Sequence, residues 1–122
     1  MIYTVVMKDN KDFLSLFKKG RFVCGRSCVV YFRKNGTNTN KLGISTGKKT
    51  GNAVARSRSR RIIRQAYREN EELFPKGYNI VIVSRACTAQ CKSTEISKFL
   101  RFKVIPEMKK NKPIKNNTIS NK

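Results

Sequence analysis

The sequence contains no histidine and no tryptophan, and only 7 of its 122 residues are acidic. The absence of histidine removes the usual general base, and with it the Ser-His and Cys-His nucleophile systems of many hydrolases. Hydrophobic runs are short, and none approaches the ~20 apolar residues that a helix needs to cross a bilayer. The N-terminal segment MIYTVVMKDNKD lacks the basic start and the long apolar stretch of a signal peptide, so we expect a cytoplasmic protein.

Basic residues, in contrast, are abundant. The chain carries 28 lysines and arginines, which gives a net charge of +21. Like charges at this density repel one another and destabilise a compact state, and a polyanionic partner relieves that repulsion. Nucleic acid is the first candidate for this partner, and an anionic membrane surface is the second. With 39% hydrophobic residues, the chain can still form one folded domain.

Four cysteines form two C-x3-C pairs, Cys24 with Cys28 and Cys87 with Cys91. This spacing leaves three interpretations open, namely reduced thiols, a zinc site or disulfides. Cys28 leads directly into the strand-like segment VVYF, which would point its side chain into a sheet and not toward a metal. We therefore favour ordinary thiols and expect no metal site.

The hydrophobic pattern predicts an α/β (α+β) sandwich with the element order α-β-β-α-β-α. The expected elements are a helix at 10–19 capped by Asn10, strands at 26–32 and 41–46, a helix at 52–73, a strand at 78–84 and a helix from 93 or 94 to about 105. Phe22 and Val23 leave an earlier start of the first strand open, and Asn35-Gly36 signals a hairpin turn. The continuous apolar run at 78–84 indicates a central strand, and the helix before it makes a parallel βαβ crossover. One small sheet then carries the helices.

The expected boundaries give a single domain over residues 1–106. Residues 1–9 are predicted to form an irregular or extended arm. Residues 107–122, EMKKNKPIKNNTISNK, are rich in lysine and asparagine and have no periodic apolar face. They are predicted to form a disordered basic tail.

The segment 47–70, GKKTGNAVARSRSRRIIRQAYREN, dominates the charge pattern. Apolar residues recur in it with helical spacing, at Val54, Ala55, Ile62, Ile63, Ala66 and Tyr67. Two basic rows cover the other side, one of Arg56, Arg60, Arg64 and Arg68, the next of Arg58 and Arg61. Because no acidic residue lies among them, we expect these arginines to bind phosphate, and a merely solvated helix face is the alternative. Asn52 is the expected N-cap, beside Lys48 and Lys49.

The chain shows neither a helix-turn-helix pattern nor a zinc finger that would read duplex DNA. Its predicted first helix carries Phe13, Leu14, Leu16 and Phe17, which fit either a core face or a partly open stacking platform. Aromatic side chains near a basic face are typical of proteins that hold single strands by stacking and phosphate contacts. RNA is therefore the preferred partner.

The segment KKTGNAVARSRSRRIIRQAYRE resembles the arginine-rich signature of the protein subunit of bacterial ribonuclease P, a KKxGNAVxRNRxKRxxRE-type helix. The match runs through Lys48, Lys49, Gly51, Asn52, Ala53, Val54, Arg56, Arg58, Arg61 and Arg64. DFLSLFKKG is similar to the family's DFxxxFKxG, Arg26 and Tyr31 fall in its first strand, and YNIVIVSR also corresponds, so the resemblance covers about residues 10–105. Ser57 replaces the central asparagine of the motif and Arg60 replaces a lysine.

The resemblance implies the protein component of a ribonucleoprotein that removes the 5′ leader from precursor tRNA. Catalysis would then belong to a large partner RNA, which would also hold most of the Mg2+. The RNA-binding residues carried over are Lys48, Lys49, Asn52, Arg56, Ser57, Arg58, Arg60, Arg61, Arg64 and Arg68, and the leader-binding cleft residues are Phe13, Phe17 and Tyr31. Positions 48–58 would lie nearest the cleft, and the later arginines would grip the catalytic RNA. The family also has a left-handed βαβ crossover.

The expected partners are the catalytic RNA and precursor tRNA, without a membrane and without an obligate protein partner. A structural RNA-binding protein of ribosomal type shares the charge and is the first alternative. A nuclease made of protein alone is the second.

Overall fold

The computed structural model describes residues 4–110, which form a five-stranded mixed sheet with helices on both faces. The strands are β1 (Thr4–Val6), β2 (Arg21–Cys24), β3 (Cys28–Lys34), β4 (Asn40–Ser45) and β5 (Tyr78–Ser84). The helices are α1 (Asn10–Lys19), α2 (Ala53–Asn70), α3 (Ser93–Phe99), a π-helical turn (Leu100–Val104) and α4 (Ile105–Lys109). The α+β sandwich is confirmed, but the observed order β-α-β-β-β-α-β-α contains two strands that the prediction lacked.

The most apolar strand, β5, lies at the centre of the sheet, whose order is β1-β4-β5-β3-β2. It runs parallel to β4 and antiparallel to β3. Ile80 and Ile82 point to one face and Val81 to the other, and all three are fully buried. The central position predicted from the apolar run is confirmed, and β4, α2 and β5 form the predicted parallel crossover.

The predicted strand at 26–32 is part of a hairpin of β2 and β3. The amide of Gly25 donates to the carbonyl oxygen of Cys28 at 2.9 Å and closes the turn between them. Phe22 then lies opposite Tyr31 on the neighbouring strand. The earlier start that Phe22 and Val23 left open is therefore a separate strand.

The predicted hairpin at Asn35-Gly36 is wrong, because β5 lies between β3 and β4. The Asn35 side-chain amide donates to the carbonyl oxygen of Thr39 and to Oδ1 of Asn79, each at 3.0 Å. These bonds hold a loop that crosses over the start of β5. With β5 between β3 and β4, both edges of β5 form backbone hydrogen bonds. A hairpin of β3 and β4 would leave β5 with fewer backbone hydrogen bonds to neighbouring strands.

The N-terminal arm contributes a short strand, because β1 pairs in parallel with β4. The hydroxyl groups of Thr4 and Tyr67 lie 2.8 Å apart and tie this edge to α2. The next helix, α1, begins at Asn10 itself with Asp9 in the cap position, so the predicted cap is one residue too late. Gly20 ends α1 as expected.

The larger half of the core lies between the sheet and the helices α2, α3 and α4. Its largest fully buried side chains are Val30, Phe32, Ile63, Tyr67, Ile80, Ile82, Ile96, Leu100, Val104 and Met108. The smaller half lies under α1, where Leu16 packs with Met7 and Val81. One face of the sheet is therefore covered by α2, α3 and α4, and the other face by α1.

The C-terminal helical segment departs from the predicted domain boundary at residue 106. Four-residue steps along an α-helix drift by about 40° each, and the wider π turn offsets this drift, which keeps Ile96, Leu100, Val104 and Met108 on the core side. Met108 is 1% exposed, and its carbonyl oxygen accepts from the Tyr78 hydroxyl at 3.3 Å. Residues 107–110 therefore belong to the domain. The rest of the predicted tail, 111–122, lies outside the described residues.

Candidate nucleic-acid interface

The start of α2 is fixed by a short loop at the C-terminal ends of β4 and β5. Asn52 caps the helix as predicted, since its Oδ1 accepts from the Ala55 amide at 3.0 Å. Gly51 has a φ of +130°, which favours glycine, and a Cβ there would lie 2.9 Å from the Cβ of Ala55. The hydroxyl of Thr50 contacts that of Ser84 at the end of β5. The helix thus begins at a defined point of the sheet.

Six arginines lie along α2 and form what we call the arginine surface: Arg56, Arg58, Arg60, Arg61, Arg64 and Arg68. Arg56 is half-buried and the other five are exposed. The predicted row from Arg56 to Arg68 winds away from the core by about 40° at each four-residue step, which explains why its first member is the least exposed. The second row faces away from the buried residues of the helix.

The arginine surface has no internal counter-charge. Among residues 4–110, no ion pair joins an arginine of α2 to a carboxylate. Within residues 4–110, Arg60 is the one arginine of this surface whose side chain forms a hydrogen bond, from its Nη1 to Oγ1 of Thr46 at 2.7 Å. Asp12 and Glu107 pair elsewhere, with Lys41 and with Arg21. The guanidinium groups of α2 are therefore available for an external anion.

Two residues of α2 have surroundings that differ from their polarity. Val54 is apolar but 68% exposed, because it lies about half a turn around the helix from the buried Ile63, on the arginine side. Ser59 is buried instead, and its hydroxyl donates to the carbonyl oxygen of Ala55 at 2.9 Å. Ser57 is exposed beside the arginines, as is Lys49 in the preceding loop. Lys48 lies in the same loop, and its side chain is outside the described part of the structure.

The opposite face of the sheet carries an aromatic cleft, which we define by Phe13, Phe17, Phe22 and Tyr31. The rings of Phe17 and Tyr31 meet edge to face with centroids 5.0 Å apart, and Phe17 is 41% exposed. Phe13 packs on β4, where Gly43 leaves room for its ring: a Cβ would lie 2.5 Å from Cζ. The three predicted cleft residues are thus brought together between α1 and the sheet.

Phe22 is a cleft residue that the sequence reasoning missed. Its ring lies 5.5 Å from that of Tyr31, centroid to centroid, and it is 57% exposed. It shares a face with Tyr31 because the two residues are cross-strand partners in β2 and β3. Recognising the Gly25 turn as a hairpin would have predicted this position.

A side-chain hydrogen bond ties α1 to β3 beside the cleft. Arg33 Nη1 donates to Oγ of Ser15 at 3.1 Å.

The cleft and the arginine surface lie on opposite sides of the sheet and are connected through the end of β4 and the loop that follows it. Phe13 contacts Gly43, and β4 ends two residues later at Ser45. The following loop leads directly to the cap of α2, and Arg60 reaches back to Thr46 in that loop. A nucleic acid chain can therefore pass from one surface to the other around this end.

The cysteines do not assemble a metal site. Within residues 4–110, no three histidine, cysteine or acidic side chains are placed to hold a metal ion. All four cysteines are free thiols, of which Cys24 is exposed and Cys28 is buried. Burial is the main reason that the pKa of Cys28 rises to about 12, with smaller contributions from Cys91 and Cys87.

The helices of residues 4–110 were also compared with the length and hydropathy that a membrane span needs, and none of them meets both requirements.

Comparison with known proteins gives a consistent result. The family model "Ribonuclease P" matches residues 3–105. The ribonuclease P protein component of Lachnoclostridium phytofermentans is 39% identical over 94 residues, which are 77% of this chain and 81% of that protein. The same component of Clostridioides difficile is 34% identical over 96 residues, 78% of this chain and 84% of that protein.

Solved structures agree in fold. The RNase P protein of Thermotoga maritima matches with a TM-score of 0.75 at 28% identity, over 87% of this chain and 99% of that one. The RNase P protein of Staphylococcus aureus matches with a TM-score of 0.69 at 29% identity, over 88% of this chain and 95% of that one. The similarity therefore extends over nearly the whole length of these proteins.

Proposed function

The chain belongs to the ribonuclease P protein family, and from this premise we propose that it binds a catalytic RNA and the 5′ leader of precursor tRNA. The partner RNA hydrolyses the phosphodiester bond that joins leader and tRNA. The mature tRNA keeps the 5′-phosphate, and the leader is released. The protein acts in the cytoplasm, without an obligate protein partner and without a membrane.

One observation carries this proposal: the same small domain carries an uncompensated arginine surface and an open aromatic cleft, connected through the loop that follows β4. Guanidinium groups bind phosphate oxygens in pairs, so the exposed arginines from Arg60 to Arg68 suit the backbone of a folded RNA. Aromatic rings stack on any base, so the cleft suits leaders of varied sequence. The loop residues Lys49 and Asn52 and the first turn of α2 face the junction between the two RNAs.

The chemistry of the chain fits a supporting role. It contains no histidine, and its few carboxylates are not gathered into a metal-binding group within the part of the chain that the structure describes. We therefore assign the Mg2+ of the reaction mainly to the partner RNA, where it supplies an activated water. The contribution of the protein is to position substrate and catalytic RNA and to offset their mutual repulsion.

A cleavage assay tests the proposal. The cognate catalytic RNA is incubated with precursor tRNA at low Mg2+, with and without the chain, and leader release is followed. We expect the chain to increase both leader removal and substrate affinity. No gain in either would refute the proposal and favour a structural RNA-binding protein of ribosomal type. Cleavage by purified protein after digestion of all RNA would instead support a protein-only nuclease.

The cleft is tested separately with Phe17→Ala, matched by Leu73→Ala, since Leu73 is similarly exposed at 45% but lies after α2. Loss of one stacked base costs about 1 to 3 kcal/mol. We expect Phe17→Ala to weaken binding of leader-containing substrate while binding of mature tRNA is unchanged. Equal loss for both substrates would place Phe17 in a structural role.

A further inference from the structure

One more aromatic side chain is exposed outside the cleft. Phe102 lies in the π-helical turn and is 64% exposed. It borders a groove of about 360 Å3 between this helical segment and the turn that joins β2 to β3. Phe99 contributes the apolar wall, and Arg26, Lys98 and Lys103 line the groove as well. Phe102 does not pack in the core, since Leu100 and Val104 on either side of it are the buried residues of this turn.

The groove is formed by anchored elements. Gly25 allows the Phe99 ring to pack directly on the turn, because a Cβ there would lie 2.6 Å from two ring atoms. Arg85 Nη1 donates to the carbonyl oxygen of Gly25 at 3.1 Å, and the Thr88 hydroxyl donates to that of Ser27. Two side-chain bonds thus tie the turn to the loop between β5 and α3, while the Phe99 ring packs on it. π-helical turns also occur frequently at functional sites.

The charge around the groove selects an anionic occupant. Arg26, Lys98 and Lys103 are exposed and, within residues 4–110, form no ion pair. Glu95 is the one acidic lining residue, against these three cations. An exposed ring flanked by cations matches the chemistry of a nucleotide, whose base stacks while its phosphates are bound.

We propose that this groove is a second RNA-binding site, in which an unpaired base of the catalytic RNA stacks on Phe102. The phosphates flanking that base lie against Lys98, Lys103 and Arg26. The site rests on the proposed function, because it presumes an RNA partner, and it adds a contact that neither the arginine surface nor the cleft provides.

The position of the groove points to the catalytic RNA as the source of the base. The helix α3 packs beside α2 on one face of the sheet, where the Asn70 side-chain amide donates to Oγ of Ser97 at 2.7 Å. Arg101 Nε donates to Oδ1 of Asn70 at 3.1 Å and extends the basic surface of α2 toward Lys98. The cleft for the leader lies on the opposite face of the sheet. An RNA seated on the arginine surface can therefore reach Phe102 without crossing the cleft.

The test is a substitution series at position 102, measured as affinity for the cognate catalytic RNA without precursor tRNA. Phe102→Ala and Phe102→Leu should weaken binding by about 5- to 140-fold, whereas Phe102→Trp should stay near the wild-type value, because stacking needs a ring. Leu73→Ala is the matched control, and melting curves verify that each variant is folded. Wild-type affinity for both Phe102→Ala and Phe102→Leu would overturn the site.

A photoreactive benzophenone amino acid in place of Phe102 identifies the occupant. We expect cross-links to an unpaired nucleotide of the catalytic RNA in the holoenzyme. Cross-links to precursor tRNA alone, or to a second copy of the chain, would overturn the proposal. If the wild-type chain itself fails to bind the catalytic RNA, the proposed function fails, whereas wild-type binding with indifferent Phe102 variants refutes this site alone.

Discussion

Removing arginines from α2 should flatten the salt dependence of RNA binding. The proposed perturbation is the double substitution Arg61→Gln and Arg64→Gln. Both side chains are exposed, and neither forms an ion pair within residues 4–110. Their loss therefore removes two of the proposed phosphate contacts without breaking an internal bond, so the fold should be unaffected.

The magnitude follows from the number of arginines. If each of the six arginines of α2 neutralises one phosphate, the slope of log K against log salt is about −4 to −5. Raising the salt from about 50 to about 200 mM then lowers the affinity of the wild type by roughly 300- to 2000-fold. With four arginines the same change lowers it by roughly 50- to 150-fold.

The assay is equilibrium binding to the cognate catalytic RNA across a salt series. The matched control is Lys8→Gln with Lys34→Gln, which removes the same charge from exposed positions outside the arginine surface. Its slope should equal that of the wild type. If the control flattens the slope as much as the arginine variant, binding depends on net charge alone and the assignment of the arginine surface is refuted.

Three further predictions concern the framework of the site. Gly43→Ala should destabilise the fold by about 1 to 3 kcal/mol in urea unfolding, because the new Cβ displaces Phe13; an unchanged midpoint would contradict the close packing. Asn52→Ala should cost about 1 kcal/mol in the same assay and Asn52→Asp much less, since aspartate keeps the cap acceptor; equal losses would argue against capping. Cys28 has a pKa of about 12 when folded against an ordinary 9.0, so the unfolded state loses its proton first. Stability should therefore fall above about pH 9 by up to about 1.4 kcal/mol per pH unit, and more shallowly in Cys28→Ala, as urea unfolding across that pH range would measure; identical slopes would refute this origin.

Local features of the site could be predicted because each depends on residues close in sequence. The spacing of Ile63, Ala66 and Tyr67 predicted the buried side of α2, and this side is buried. Asn52 caps the helix because its side chain reaches an amide three residues later. The central strand followed from an uninterrupted apolar run, Tyr78–Ser84, which needs cover on both faces.

Predictions of features that depend on contacts between distant residues were wrong or were not made. The turn at Asn35-Gly36 has a hairpin sequence, yet the pairing of β5 with both β3 and β4 decides its geometry. Met108 lies in a segment with lysine-rich flanks, and only its contact with Tyr78 across the domain shows that residues 107–110 are part of the fold.

The sequence by itself determined the class of fold, the family and the arginine surface, since periodicity and charge are properties of short segments. Only the tertiary structure decided which aromatic rings are open. Phe22 joins the cleft through its cross-strand partner Tyr31, and Phe102 faces the groove because Leu100 and Val104 occupy the core. A side chain is exposed or buried according to what packs against it, and that is set by residues far away in the chain.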